Sequence, residues 1–239
     1  MSQLFVSDLH LDASAPAAIA QFIALLDGAA RRASALYILG DLFETWLGDD
    51  DADRERHRVC AAIARLTRAG TPCFVMRGNR DFLLGAGFER ATGARLLPDP
   101  VLGDLDGTPV LLTHGDLLCT DDLAYQQLRS TVRDPRWQRR ALALPLDARA
   151  ALAGAARAGS RAHTARAAEA IMDVNAAAVA AAFRASGAQW MIHGHTHRPG
   201  THQIDVDGRP ATRVVLDAWY EGGSLVWWDH GGVRSEQLS

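Results

Sequence analysis

The chain contains no lysine. Its 25 basic residues are all arginines, set against 28 acids and 9 histidines, for a net charge of −3. No global basic field exists to hold nucleic acid. With alanine so abundant, the missing lysine reads as the bias of a GC-rich genome. Cysteine is scarce. Cys60, Cys73 and Cys119 are odd in number and form no CxxC, so neither a disulfide framework nor a thiolate zinc site is expected, which fits a reducing cytosol. No apolar run approaches the ~18–20 residues of a membrane span. The chain enters Leu4-Phe5-Val6 with no charged segment and long apolar stretch before it, so no signal peptide is expected. Internal repeats and low-complexity linkers are also lacking. Residues 1–239 are therefore expected to form one domain with an insertion, and 48% hydrophobic against 22% charged residues is ordinary for a globular protein.

What is present is a recurrence. Short apolar runs at Leu4–Ser7, Leu36–Leu39, Cys73–Met76 and Pro109–Thr113 read as buried strands, and Gln189–Ile192 as another. Helical patterns over Ala15–Arg32, Asp53–Ala69 and Asn175–Arg184 alternate with them, the signature of a sheet with parallel strands and helices on its faces. Each strand stops at polar residues, usually beside glycine: Asp8-Leu9-His10, Gly40-Asp41, Gly78-Asn79-Arg80-Asp81, His114-Gly115-Asp116 and His193-Gly194-His195-Thr196-His197. In α/β sheets ligands gather at the carboxyl ends of strands. Asp8, His10, Asp41, Asn79, His114, His195 and His197 are thus expected at one rim. From about residue 120 to 172 the chain turns rich in Ala, Leu and Arg with no strand pattern, and Pro135 and Pro145 divide it. It reads as a helical cap that could lie on an anionic membrane surface. Gln203–Val206, Arg213–Leu216 and Leu225–Trp228 suggest a β-rich ending that forms a second sheet.

Two carboxylates, one amide and four imidazoles are too many for one four-coordinate zinc. They suit two ions sharing a bridging carboxylate. Mixed ligation without thiolate favours manganese, iron or zinc over copper or magnesium. A pair of ions ~3.5–4 Å apart can activate water and clamp a phosphoryl oxygen, which serves hydrolysis of phosphate esters or anhydrides without a serine or cysteine nucleophile.

Asp8-x-His10, Gly40-Asp41, Gly78-Asn79-Arg80-Asp81, His114 and Gly194-His195-Thr196-His197 resemble, in order, the motifs of the calcineurin-type metallophosphoesterases. The resemblance runs from about residue 4 to 199. It implies an α/β (α+β) fold, a sandwich of two mixed sheets flanked by helices. It also implies one ion on Asp8, His10, Asp41 and His197 and a second on Asp41, Asn79, His114 and His195, with Asp41 bridging. One departure is informative. Most of that superfamily carries histidine after the asparagine, to protonate the leaving group, and here the residue is Arg80. A guanidinium stays protonated, so Arg80 can clamp a phosphate but not act as acid. It points to a leaving group that needs no proton, and so to an anhydride.

Gly78-Asn79-Arg80-Asp81-Phe82, the helical insertion and Ile171-Met172-Asp173-Val174-Asn175 are similar to one subfamily, the UDP-2,3-diacylglucosamine diphosphatases of Gram-negative lipid A synthesis. That resemblance implies water attack on the α-phosphate, giving UMP and 2,3-diacylglucosamine 1-phosphate. It further implies two Mn²⁺ ions and a peripheral position on the cytoplasmic face of the inner membrane, with the cap holding the acyl chains. Beside the catalytic Asp41, Asn79 and Arg80, substrate contacts are implied at Asn79, Arg80, Asp122, Arg157, Ser160 and His195. Thr164 stands where asparagine is expected, and Arg166 precedes Ala167, where lysine is expected. The rival readings are another dinuclear phosphoesterase, such as a dinucleoside polyphosphate hydrolase or a phosphodiesterase, and a non-catalytic scaffold.

Overall fold

Two packed sheets carry the molecule, and the alternation of residues along their strands explains why. In the computed structural model, which describes residues 2–164, 173–220, 222–230 and 232–238, strand β1 (Gln3–Val6) is buried throughout. Leu4 and Val6 face one hydrophobic cluster and Phe5 the other, because successive strand side chains point to opposite faces. Helix α1 (Pro16–Asp27) begins at a proline, whose fixed φ suits a first helical turn. It stops at Gly28 and gives way to a 3-10 turn, Ala29–Arg32, so it is shorter than the alanine pattern predicts.

The pattern continues through β2 (Ala35–Leu39), α2 (Arg54–Arg68), β3 (Cys73–Met76), α3 (Ala86–Thr92), β4 (Arg95–Leu97), β5 (Val101–Leu105) and β6 (Thr108–Leu112). The Asp53 carboxylate caps α2 by accepting from the Arg56 N–H. Next come three helices, α4 (Leu123–Val132), α5 (Pro135–Leu142) and α6 (Leu146–Thr164), then α7 (Ala176–Ser186). Strands β7 (Trp190–His193), β8 (Gly200–Val206), β9 (Arg209–Val215), β10 (Ser224–Asp229) and β11 (Gly232–Gln237) complete the chain.

One sheet has the order β11-β10-β1-β2-β3-β4 and the other β5-β6-β7-β9-β8. Strands β1, β2, β3 and β4 pair in parallel, as do β6, β7 and β9. The C-terminal strands do not all join a second sheet as the sequence suggests. β10 returns to pair antiparallel with β1 and carries β11 to the sheet edge. Leu225 and Trp227 thereby reach the helix-facing cluster, and Val226 and Trp228 the inter-sheet cluster. Between the sheets, Phe5, Leu39 and Met76 meet Leu112, Ile192 and Val214. Outside the first sheet, Phe22, Val59, Ile63 and Phe88 from α1, α2 and α3 cover Leu36 and Ile38. Outside the second, Val179 and Phe183 of α7 cover Leu111 and Met191. The result is a helix–sheet–sheet–helix sandwich. Among the described residues no helix is long and apolar enough to cross a membrane.

Candidate metal centre

The parallel strands of both sheets end at one rim, and the loops after them are tied together by main-chain hydrogen bonds. The Asp8 and His10 N–H groups, after β1, donate to the carbonyls of Gly40 and Asp41, after β2, at 3.1 and 3.0 Å. After β7 the Gly194 N–H donates to the His114 carbonyl at 2.9 Å. Asp8, His10, Asp41, His195 and His197 all adopt positive φ, between 48° and 67°. That region costs non-glycine residues about 1–3 kcal/mol each and persists where the surroundings enforce it, typically at functional sites. Here it turns five side chains inward immediately after their strands.

The seven side chains converge in two halves around Asp41. In one half, His197 Nε2 lies 3.3 Å from Asp8 Oδ1 and His10 Nε2 lies 3.9 Å from Asp41 Oδ2. In the other, the Asn79 Oδ1 lies 2.9 Å from His114 Nε2 and 3.0 Å from His195 Nδ1, while His114 Nε2 is 3.8 Å from Asp41 Oδ2. Asp8, His10 and His197, and separately Asp8, Asp41 and His114, bring ligand atoms close enough to share an ion.

Hydrogen bonding on the far side of two of the rings favours metal binding. The His10 Nδ1 faces the Glu44 carboxylate at 3.0 Å and the His114 Nδ1 the Leu39 carbonyl at 2.9 Å. Both partners are acceptors, so Nδ1 carries the proton and Nε2 is left to bind. The His10 Nε2 is buried with no hydrogen-bond partner, an orphan that a cation would satisfy. The His114 Nε2 faces an amide oxygen, itself an acceptor, so a proton or a metal must lie between them. Burial opposes charge on His114, but Asp41, Asp8, Asp116 and Asp99 raise it to about 9. For Asp8, burial is outweighed by His197, His114 and Ser7, and its carboxyl falls well below the usual range. Burial lowers His195 to about 4, which keeps that ring neutral and available as a ligand. The residues fit divalent metal by charge, by donor type and by the orphaned nitrogen.

Neighbours of the seven ligands shape these loops. Asp81, fully buried, accepts from the Gly78 and Phe43 N–H groups, and burial with the Asp41 charge raises it to about 6. Its place in Gly-Asn-Arg-Asp is the one signal that could have flagged it. Asp116 receives the Tyr125 hydroxyl at 2.6 Å and the Arg129 Nε at 2.9 Å, which fastens α4 to the rim. His193 is buried, approached by Arg213 at 3.0 Å, and burial lowers it to about 3, in keeping with a supporting residue. Cys119 lines the cleft, but burial pushes its thiol up to about 12, which disfavours a thiolate nucleophile.

The rim opens into a cleft of about 320 Å³ lined by His10, Asp41, Asn79, Arg80, His195 and His197, with Asp122, Tyr125 and Ser160 from the helical segment. The Arg80 N–H donates to Asp41 Oδ1 at 2.8 Å. Its guanidinium lies 3.9 Å from Glu44, its buried Nε has no hydrogen-bond partner, and the side chain reaches the cleft wall. Arg157 does not line the cleft, though its charge reaches Glu44 and Asp12. Thr164 ends α6, and Arg166 lies outside the described residues.

Glycine is required where loops touch. A Cβ at Gly194 would overlap the Asp8 carboxylate and the Ser7 side chain. We expect Gly194→Ala to lower bound metal, measured by elemental analysis, and to cost about 1–3 kcal/mol in denaturant unfolding, as overpacking does. Full metal content with unchanged stability would contradict this packing.

Comparison with known proteins agrees with the fold and the rim. Residues 1–199 match the calcineurin-like phosphoesterase family. The chain is 50% identical over 238 residues to a UDP-2,3-diacylglucosamine hydrolase of Enterobacter sp. (strain 638), with 100% of this chain and 99% of that one covered. It is also 50% identical over 226 residues to one of Salmonella typhi, covering 95% and 94%. Among solved structures, an archaeal phosphodiesterase aligns over 100% of both chains with a TM-score of 0.53 at 12% identity, a likeness of fold. By the extent of the family match, its ordered strand-end ligands and its end-to-end similarity to these relatives, the chain belongs to the calcineurin-like phosphoesterases.

Proposed function

We propose that this protein hydrolyses the diphosphate of UDP-2,3-diacylglucosamine by water attack on the α-phosphate, releasing UMP and 2,3-diacylglucosamine 1-phosphate in lipid A synthesis. The observation that carries this reading is the 50% identity to UDP-2,3-diacylglucosamine hydrolases, which runs through the helical segment as well as the ligand loops. Two Mn²⁺ ions are the proposed cofactor, one on Asp8, His10, Asp41 and His197, the other on Asp41, Asn79, His114 and His195. When bound, such ions activate water near neutral pH and neutralise phosphoryl oxygens.

The chain's own residues do the rest. Asp41 lies between the two halves of the cluster and is suited to bridge them. Arg80, in the cleft wall, clamps a diphosphate oxygen with its guanidinium and offsets charge developing on the leaving phosphate. That phosphate is a weak base and departs without a proton, which suits an arginine where an acid would be idle. Asn79 and His195 serve both metal and substrate. Asp122, Ser160, Thr164 and Arg166 complete the sugar and phosphate contacts, supported by the presence of Asp122 and Ser160 in the cleft wall, and Arg157, outside that wall, contributes from its place near Glu44.

The segment of residues 120–172 acts as a cap within a single domain and holds the acyl chains. Leu123, Leu128, Leu142, Leu144 and Leu152 are exposed along it, beside several arginines. Apolar and basic side chains together suit peripheral binding to an anionic surface, here the cytoplasmic face of the inner membrane. Co-sedimentation with phosphatidylglycerol vesicles, weakened by salt, is expected. Equal recovery with neutral vesicles at every salt concentration would count against it.

Turnover of UDP-2,3-diacylglucosamine is expected to exceed that of diadenosine tetraphosphate and bis(p-nitrophenyl) phosphate. Faster turnover of either alternative would sink the lipid assignment in favour of a dinucleoside polyphosphate hydrolase or phosphodiesterase. Asp41→Ala should lose both metal and activity. Arg80→Ala should keep its metal and lose about 100-fold or more in kcat, the scale of a lost oxyanion donor. Near-normal turnover by Arg80→Ala would show that the clamp is wrong.

A further inference from the structure

The cleft holds two tyrosines, one at each half of the ligand cluster, and their commitments differ. Tyr125 stacks on His195 with ring centres 5.8 Å apart and spends its hydroxyl on Asp116. Tyr220 belongs to the other half. Its ring lies parallel to His10 at 5.2 Å and 8° and meets His197 at 5.2 Å and 68°. Even so, Tyr220 is 65% exposed and lines the cleft. With one face on His10, a ring so exposed presents the opposite face to the cleft.

The position of Tyr220 is fixed by its neighbour. Trp219 is buried, its N–H donates to the Asp8 carbonyl at 3.1 Å, and its indole donates to the Ser224 carbonyl at 3.0 Å. The aromatic ring is thus anchored through the main chain of a candidate ligand. A rigid aromatic face with no core role, set at the mouth of a polar cleft, is the kind of surface that binds a planar partner.

We propose that Tyr220 stacks the uracil ring of the nucleotide half of the substrate. This rests on the function proposed above. A diphosphate that spans the cluster sends its two substituents in opposite directions. The helical segment adjoins the His195 half, since Tyr125 of α4 stacks on His195. Arg157 of that segment also brings its charge near Glu44, but the ring the segment lays on the cluster is Tyr125, on His195, so the lipid-bearing sugar is placed there and the nucleotide at the Tyr220 ring on the His10–His197 half. Stacking tolerates any base, because every base has a π face. Tyr220 therefore supplies affinity for a nucleobase as such, without selecting uracil over cytosine.

The test compares UMP with ribose 5-phosphate, which keeps a sugar phosphate and drops the base. Binding is measured by calorimetric titration of the metal-loaded wild type, Tyr220→Ala and Tyr220→Phe, with wild-type turnover of UDP-2,3-diacylglucosamine as the control. UMP should bind wild type and Tyr220→Phe about tenfold more tightly than ribose 5-phosphate does, and that ratio should fall to near one in Tyr220→Ala. An unchanged ratio in Tyr220→Ala overturns the proposal. This includes the case where both ligands weaken together, as they would if Tyr220 only packed on His10. A wild type that turns over the lipid substrate but shows no base-dependent ratio overturns the stacking role alone. A wild type that cannot turn it over overturns the functional reading and this inference with it.

Discussion

Asp8 and Asp41 are two carboxylates buried beside each other at the ends of adjacent parallel strands, and the rest of the rim answers their charge. Burying even one unpaired carboxylate costs several kcal/mol. Hydrogen bonds from the Ser7 hydroxyl and the His195 N–H to Asp8, and from the Arg80 N–H to Asp41, offset part of this. Four imidazoles and an amide oxygen close around what remains. A cation between these groups satisfies the carboxylates, the orphaned His10 nitrogen and the opposed His114 and Asn79 acceptors at once. The left-handed backbone at five ligand positions and the bare Gly78 and Gly194 are the local conditions for that approach.

The sandwich serves this cluster. Its parallel strands deliver the ligand loops of both sheets to one rim, while its three hydrophobic layers fix the loops' starting points. The helical segment is fastened to the same rim through Asp116, Tyr125 and Arg129. A cleft wall from that segment therefore stands at a fixed relation to the ligands. In the function proposed here, this relation joins lipid recognition to hydrolysis.

Much of this was legible in the sequence because it is local. Each ligand follows a short apolar run within a few residues, and glycine marks every one of these turns but the Asp8-Leu9-His10 turn. Cys73–Met76 is a strand in its predicted bounds, since a run buried on both faces has no competing pattern. The α3 helix and β4 escaped notice because they are short, and β5 and β11 because their exposed polar positions break up any apolar run. The return of β10 to β1 was hidden as well, because pairing between chain ends leaves no local trace. The same holds at the site. Glu44 against His10 and Tyr220 over it are contacts between distant segments, set by the fold rather than by spacing.

The most direct test of the account is the number and position of metal ions in the loaded protein. Elemental analysis combined with anomalous scattering from a manganese-loaded crystal should give two ions per chain. One should lie among Asp8, His10 and His197, the other among Asn79, His114 and His195, with Asp41 reaching both. A single ion, or two ions not joined by Asp41, would contradict the claim that these buried carboxylates exist to hold a metal pair.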